Sequence, residues 1–145
     1  MLKLLDNEAH IWSYCIDPEI VNIEPYQTLL SPKEVIRKNK YITQTLRDKY
    51  AISRGGLRMI LSKYLSVSSE TIVFSYSKFG KPSIIFSQNA ENVFFNLSHS
   101  DNLALCIVSS ILDIGVDVEL RKPIQDVLDI AKFVCTEEEY QILLD

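Results

Sequence analysis

Residues 92–119 read NVFFNLSHSDNLALCIVSSILDIGVDVE and contain three short, mainly apolar runs with polar residues at their ends. Aromatic and β-branched residues are frequent in these runs, as is typical of β-strands. We predict strands at 93–97, 103–109 and 114–119, with a polar connection at 98–102 between the first two. We expect the rest of the chain to be arranged around these strands.

The third run alternates apolar and acidic residues. Because successive side chains of a strand point to opposite faces, Asp117 and Glu119 would project from one face and Val116 and Val118 from the other. Two neighbouring carboxylates repel each other, and a divalent cation relieves that repulsion. Mg²⁺ is usually held by one or two carboxylates together with phosphate oxygens of a substrate. The pattern indicates a magnesium site, and the alternative is the solvated face of an edge strand.

A helix start is clear at residues 31–34, which read SPKE. They form a capping box with proline at the first helical position. The helix is expected to carry four apolar residues roughly at helical spacing: Val35, Ile36, Ile42 and Leu46. Its Arg37 is available to solvent or to an anion.

A second helical run follows with little pause. Its apolar face consists of Leu57, Ile60, Leu61, Tyr64 and Leu65. Arg54 and Arg58, four residues apart, are neighbours on one side of this helix. Gly55 and Gly56 inside it are unfavourable by about 1 kcal/mol each relative to alanine. We therefore expect a close backbone approach there, to a neighbouring element or to a phosphate.

The remaining predicted elements are short. Residues 10–16 alternate and predict an opening strand. Two further strands, at 71–76 and 83–86, flank a Gly80-Lys81-Pro82 turn, and helices are predicted at 127–134 and after a second capping box at 136–139. The predicted fold is α+β: a mostly antiparallel sheet with helices packed on one side.

Composition and charge exclude several classes of protein. The 145 residues are 47% hydrophobic, which suits one globular domain. Residues 31–65 contain nine Lys or Arg and two acidic residues, whereas 101–145 contain three basic and ten acidic residues. This division speaks against a nucleic-acid partner, which favours a basic domain, and suits a small ligand with several phosphates plus a metal. The longest apolar run, 103–108, is too short for a membrane helix.

The three cysteines, Cys15, Cys106 and Cys135, are far apart and lack C-x-x-C spacing. Neither a disulfide framework nor a zinc site is indicated. The first residues carry Asp6 and Glu8 where a signal peptide needs a basic lead and an apolar run. We infer a reduced, cytoplasmic setting.

Three motifs in order, preceded by a basic helix, resemble a known family. They are GKPSI at 80–84, FNLSHS at 95–100 and GVDVE at 115–119, after RDKYAISRGGLRMILSKYL at 47–65. Together they are similar to the 4'-phosphopantetheinyl transferases of the larger, two-lobed type. Those enzymes move the phosphopantetheine arm of coenzyme A to a serine of an acyl or peptidyl carrier protein. The resemblance implies an Mg²⁺-dependent holo-carrier-protein synthase.

The resemblance assigns roles to individual residues. Asp117 and Glu119 would be two of three carboxylates that hold Mg²⁺ on the coenzyme A pyrophosphate, and would be the catalytic residues. Five residues would contact the coenzyme A nucleotide: Arg37, Arg54, Lys81, Ser98 and His99. Of these, the two arginines would lie near the 3'-phosphate and the other three at the remaining phosphates.

One family signature has no counterpart in the chain. W-x-x-K-E, in the second lobe, supplies the third carboxylate of the family, but the only tryptophan here is Trp12 and nothing after Glu119 matches. Residues 133–140, FVCTEEEY, resemble the segment just upstream of it. We expect 1–145 to be an N-terminal lobe that ends in the start of the second lobe. A second lobe or a second copy of the chain would complete the site.

Other interpretations stay open. In one, the chain is a non-catalytic fragment that binds coenzyme A or a carrier protein. In the other, it is an unrelated metal-dependent phosphohydrolase. A hydrolytic triad is disfavoured, because Ser98, His99 and Asp101 are too close along the chain and no G-x-S-x-G is present. For the basic run at 37–63 the alternative is a solvated helical face, and for His99 and Lys81 it is an ordinary turn.

Overall fold

A computed structural model describes residues 2–78, 80–90, 92–111, 114–123 and 125–144. Its elements, in chain order, are β1 (Ala9–Cys15), α1 (Glu24–Gln27), α2 (Pro32–Lys38), α3 (Gln44–Leu61), β2 (Phe74–Tyr76), β3 (Pro82–Ile84), β4 (Phe94–Ser100), β5 (Leu103–Ser109), α4 (Val127–Val134) and α5 (Glu137–Leu144). Two 3₁₀ turns, Ser69–Thr71 and Phe86–Gln88, lie on either side of β2 and β3. The predicted α+β class is confirmed.

The central sheet has three antiparallel strands in the order β1-β5-β4. Cys106 in the middle strand lies opposite both Trp12 and Leu97, which defines the register. β5 is the apolar run of the sequence, and its Ala104, Cys106 and Val108 are fully buried. A separate two-stranded sheet pairs β2 with β3. β5 can occupy the centre of the sheet because it has no charged residue, and a middle strand has a neighbouring strand on each side.

Helix α3 packs on one face of the central sheet. Its Leu57 and Leu61 are fully buried and share one core with Tyr64, Phe95 and Val108. The apolar face predicted for the second helical run is confirmed up to Leu61, where α3 ends, and Tyr64 and Leu65 are buried in the same core beyond the helix. On β1 the side chains alternate between exposed and half-buried, as predicted for the opening strand.

The two glycines of α3 permit close packing. A Cβ atom at Gly55 would lie 2.6 Å from the carbonyl oxygen of Tyr26, and one at Gly56 would lie 2.5 Å from the Tyr14 ring. Atoms cannot approach so closely in a packed interior. The expected close approach is confirmed, and protein groups rather than a phosphate fill the space.

The first basic helix is shorter than predicted. The capping box is present, with Ser31 and Glu34 bonded to each other's backbone amides, but α2 ends at Lys38. Thr43 then caps α3 from an extended backbone, with φ −95° and ψ 151°, which a continuous helix cannot contain. The apolar face expected up to Leu46 is wrong, and Ile42 between the helices is 91% exposed.

The strand predicted at 114–119 is also wrong, because none of these residues belongs to a strand. β4 is longer than predicted, since it continues through Ser98 and His99 to Ser100. The connection to β5 is only a two-residue turn, which Asp101 makes possible by adopting a positive φ of 52°.

Several smaller predictions can be compared directly. β2 and β3 have three residues each and are shorter than the strands predicted at 71–76 and 83–86. Thr71 belongs to a 3₁₀ turn, and β3 ends at Ile84. The helix predicted at 127–134 is confirmed by α4. The second capping box is confirmed by reciprocal bonds between Thr136 and Glu139. None of the helices in the described ranges has both the length and the apolar character needed to cross a bilayer.

Candidate active site

Residues 116–120, the acidic segment, run alongside β4 in the same direction. Three of its backbone amides donate to side-chain oxygens of β4: Val116 to Asn96 Oδ1 at 3.1 Å, Val118 to Ser98 Oγ at 3.2 Å and Leu120 to Ser100 Oγ at 3.0 Å. Each pair is separated by 20 residues, which makes the two segments parallel. The segment is thus attached to β4 through side chains and not as a further strand of the sheet.

The same two serines hold the two carboxylates. Ser98 Oγ donates to Asp117 Oδ1 at 2.7 Å, and Ser100 Oγ donates to Glu119 Oε2 at 3.0 Å. Both acids are exposed, while Val116 is half-buried. The expected alternation of acidic and apolar side chains is therefore present although the strand is not.

The donor set suits a hard cation such as Mg²⁺. Two exposed carboxylates two residues apart offer oxygen ligands, and Mg²⁺ commonly takes one or two of these plus substrate phosphates. Within the described ranges no three His, Cys, Asp or Glu side chains gather as a potential metal site. Asp117 and Glu119 thus fit an ion that is shared with a ligand better than one held by the protein alone.

Ser98 and His99 point to opposite faces of β4, because they are adjacent in a strand. Ser98 contacts the acidic segment, as described. His99 is exposed and lines a cavity of about 240 Å³ together with Lys49, Tyr50 and Asp101, among others. The two residues predicted to share one ligand thus lie on opposite faces of β4.

Arg37 lies in a second cavity, of about 170 Å³, next to Lys33, Glu34 and Tyr50. Tyr50 lines both this cavity and the one at His99, so the two are adjacent. Burial raises the pKa of the Tyr50 hydroxyl, and the charge of Arg54 partly offsets this effect. The hydroxyl therefore keeps its proton at neutral pH and can donate a hydrogen bond.

Arg54 is largely buried beside these cavities. Its side chain is 10% exposed, its Nε lies 3.6 Å from Glu34 Oε1, and its guanidinium lies over the Tyr50 and Phe74 rings. Three buried polar atoms here make no hydrogen bond of acceptable geometry within the described part of the chain: Glu34 Oε1, the Tyr50 hydroxyl and Arg54 Nη1. Buried polar atoms without a partner are uncommon, and a ligand or an ordered water can complete them.

Glu34 and Arg58 form a buried ion pair that the sequence analysis missed. Arg58 is 1% exposed, and its Nη2 and Nε lie 2.7 and 2.9 Å from Glu34 Oε2. Its Nη1 also donates to the carbonyls of Ser69 and Ile72. The signal available in the sequence was a capping-box glutamate followed by two arginines spaced four apart.

Lys81 shares no cavity wall with the other candidate residues in the described part of the chain. It is exposed and lines a third cavity, of about 260 Å³, whose other walls include Phe94, Phe95 and Ile114. Gly80 before it has a φ of +82°, and the Lys81 amide donates to Ser77 Oγ at 3.1 Å. The turn is therefore fixed by its backbone, as the Gly-Lys-Pro sequence indicated.

The described structure joins some of the predicted site residues and separates others. Ser98 bonds directly to Asp117, and Arg54 and Arg37 both adjoin Tyr50. Lys81 and His99 open onto different cavities. A ligand that contacted all of them would have to reach more than one of these cavities.

Comparison with curated proteins identifies relatives along nearly the whole chain. The chain is 37% identical over 143 residues to 4'-phosphopantetheinyl transferase HetI of Nostoc sp., a match that covers 98% of this chain and 60% of the relative. It is 31% identical over 136 residues to a putative 4'-phosphopantetheinyl transferase of Synechocystis sp., covering 94% of this chain and 54% of the relative.

A third relative is the 4'-phosphopantetheinyl transferase gsp of Aneurinibacillus migulanus, 32% identical over 97 residues, which are 66% of this chain and 38% of that protein. No protein-family model matches the chain. The chain spans 60% or less of the length of these relatives. Since the similarity covers nearly all of its residues and the relatives share one name, the chain belongs to the 4'-phosphopantetheinyl transferase family.

Proposed function

We propose that the chain belongs to an enzyme that transfers the 4'-phosphopantetheine arm of coenzyme A to a serine of an acyl or peptidyl carrier protein. The observation that carries the proposal is a pair of exposed carboxylates, held side by side on β4, in a chain similar over 98% of its length to a named transferase. Such a pair suits a reaction in which phosphate charge must be neutralised.

Asp117 and Glu119 would hold Mg²⁺ on the pyrophosphate of coenzyme A. Bound there, Mg²⁺ would neutralise charge on the phosphate oxygens. The chain's own contribution is to keep both carboxylates exposed and on one side, which the Ser98 and Ser100 hydroxyls do at 2.7 and 3.0 Å. Two acids fixed in advance need little reorganisation when the ligand arrives.

The five nucleotide-contacting residues would act from several elements: Arg37, Arg54, Lys81, Ser98 and His99. Support is strongest for the arginines. Arg37 is exposed in a cavity next to Tyr50, and buried Nη1 of Arg54 lacks a hydrogen-bond partner among the described residues. A phosphate group would satisfy such donors. Ser98 would act mainly through Asp117, since its hydroxyl already donates to that carboxylate.

The proposed chemistry is an in-line displacement at phosphorus. The hydroxyl oxygen of the carrier serine attacks the β-phosphorus of coenzyme A and forms a new phosphodiester bond, while the hydroxyl proton is released to water. The bond from this phosphorus to the bridging oxygen breaks, and 3',5'-ADP leaves with the electron pair. Lys81 and the arginines would stabilise the charge that develops on the phosphate oxygens.

We also propose that the chain is one lobe of the enzyme, with a second lobe or a second copy of the chain completing the site. This proposal is supported by a site with two carboxylates from the described chain and by the relatives, of which the chain spans at most 60%. The proposed setting is the cytoplasm, where coenzyme A and carrier proteins meet.

The test is transfer to a carrier protein, measured directly. The purified chain is mixed with coenzyme A, Mg²⁺ and an apo acyl carrier protein, and the carrier is weighed by intact-mass spectrometry. If a second copy of the chain completes the site, the expected result is an increase in carrier mass by one phosphopantetheine group that is lost when Mg²⁺ is chelated.

Other results select between the alternatives. Coenzyme A binding in calorimetry without any transfer would support either a non-catalytic binding fragment or a site that needs the second lobe. Release of phosphate from coenzyme A in the absence of a carrier would support a phosphohydrolase. The absence of both binding and transfer would contradict the proposed function.

A further inference from the structure

We propose that Asn96 and Ser100 are positioning residues: through their side chains they hold the acidic segment on β4 and thereby place Asp117 and Glu119 on one side. The attachment of the segment to β4 concerns the fold and does not depend on the proposed function. Its consequence for metal binding rests on the proposed function.

The spacing of the bonds supports this inference first. Residues 96, 98 and 100 of β4 share one face of the strand, because every second side chain points the same way. The amides they bind, at 116, 118 and 120, also recur every second residue. Two extended segments with the same period match at three successive points, and a shift by one residue would break all three bonds together.

The chemistry of the side chains supports it second. A hydroxyl can donate and accept at the same time. Ser100 Oγ accepts from the Leu120 amide at 3.0 Å and donates to Glu119 Oε2 at 3.0 Å. It thus fixes the backbone and the carboxylate of neighbouring residues with one atom. Asn96 Oδ1 accepts from Val116 at the other end of the segment.

The absence of another attachment supports it third. Across the described residues, no main-chain hydrogen bond connects the acidic segment to β4. Val116 and Val118 of the segment are half-buried. Apolar contacts are not directional, so they would not decide which way the carboxylates point. The side-chain bonds of β4 decide it.

The experiment uses the complete chain labelled with ¹⁵N and compares four variants with the unsubstituted chain. Ser100→Ala removes both bonds, Ser100→Thr keeps the hydroxyl, and Asn96→Ala removes the first bond. Gly115→Ala is the matched control, because a Cβ atom there meets nothing within 4 Å. Circular dichroism and thermal unfolding establish that each variant is folded.

Amide hydrogen exchange tests the attachment. We expect the Leu120 amide to exchange about tenfold faster in Ser100→Ala, the effect of one lost hydrogen bond. Ser100→Thr should restore slow exchange, and Asn96→Ala should affect Val116 most. Gly115→Ala should leave these rates unchanged. Equal exchange rates in Ser100→Ala and the unsubstituted chain would overturn the inference.

Titration with Mn²⁺ in the presence of coenzyme A, whose phosphates supply the remaining ligands, tests the positioning. Paramagnetic broadening of the Val116 and Val118 amide signals should require several-fold more Mn²⁺ in Ser100→Ala, and Ser100→Thr should restore the original response. Faster exchange with an unchanged Mn²⁺ response would overturn the positioning role. No broadening in the unsubstituted chain would instead contradict the proposed metal site, while the exchange rates would still decide whether the segment is attached in this way.

Discussion

Two charged regions of this protein differ in how their charges are satisfied. In the first, Glu34 and Arg58 are 2% and 1% exposed, and the arginine makes ion-pair and carbonyl contacts at 2.7 to 3.0 Å. In the second, Asp117 and Glu119 are exposed, and each carboxylate receives one serine hydroxyl bond. Both regions contain carboxylates that accept hydrogen bonds from side chains of neighbouring elements.

This difference in exposure distinguishes charged groups that stabilise the fold from charged groups that are candidates for ligand binding. A buried ion has lost its water, so the protein must provide all its partners. An exposed carboxylate with one protein donor retains oxygen lone pairs for a cation. Arg54 is intermediate, because it is buried like Arg58, but its Nη1 makes no hydrogen bond of acceptable geometry within the described part of the chain. This comparison can be tested by substitutions in each region.

The largest effect is expected for Arg58→Met. The substitution leaves the buried Glu34 carboxylate with Arg54, at 3.6 Å, as its cationic partner among the described residues, besides its hydrogen bonds from Ser31. Breaking a buried ion pair typically lowers the free energy of unfolding by about 3–5 kcal/mol. Urea denaturation measures the loss, and Arg37→Met, at an exposed site, should stay within about 0.5 kcal/mol. A similarly small change for Arg58→Met would remove the distinction between the regions.

The next effect is expected for Gly56→Ala in α3. The added methyl group would lie 2.5 Å from the Tyr14 ring and force the helix away from β1. Overpacking of this kind costs about 1–3 kcal/mol. Gly115→Ala beside the acidic segment is the control, since nothing there lies within 4 Å. Equal urea midpoints for the two variants would show that α3 is not closely packed on β1.

Neutralising Asp117 and Glu119 tests the exposed region in the same way. Asp117→Asn combined with Glu119→Gln should change the free energy of unfolding by no more than about 0.5 kcal/mol, because both residues are exposed. Coenzyme A affinity in the presence of Mg²⁺, measured by calorimetry, should fall about tenfold or more. Asp129→Asn on α4 is the control. Unchanged affinity and magnesium dependence would disprove a binding role for the pair.

The smallest effect concerns buried neutral groups. Burial raises the pKa of the Cys106 thiol from 9.0 to about 12, and also raises the pKa of the Tyr14 hydroxyl. The folded state then keeps a proton that the unfolded chain loses, so this stabilisation is complete below about pH 9 and is lost as the pH rises towards 12.

The urea midpoint should therefore decline from about pH 9 upward. Cys106→Ala should make the decline shallower, because one of the groups that stay protonated in the folded state is absent. Cys15→Ala, at an exposed cysteine, should leave the slope unchanged. An identical slope in Cys106→Ala would contradict the raised pKa.

The errors of the sequence analysis have identifiable physical causes. Alternation at 114–119 reports which side each residue faces, but it does not reveal the hydrogen-bond partner. Here Asn96, Ser98 and Ser100 take the place that a neighbouring strand would have. Similarly, the spacing of Arg54 and Arg58 places them on one side of α3, but it does not say that Glu34 packs against that side.

The sequence by itself determined the local features and the family. The capping boxes at Ser31 and Thr136, the apolar face of α3, the middle strand and the three ordered motifs all depend on residues close in the chain. Short-range geometry follows from residue type, since turns, caps and side-chain periods involve only near neighbours.

Only the tertiary structure decided which charges are buried and which stay exposed. Arg58 meets Glu34 across 24 residues, and Ser100 meets Leu120 across 20. Partners so distant in the chain come together only when the helices and strands pack. The free energy of a charge depends on its solvent exposure and partners, so its role cannot be read from its position in the sequence alone.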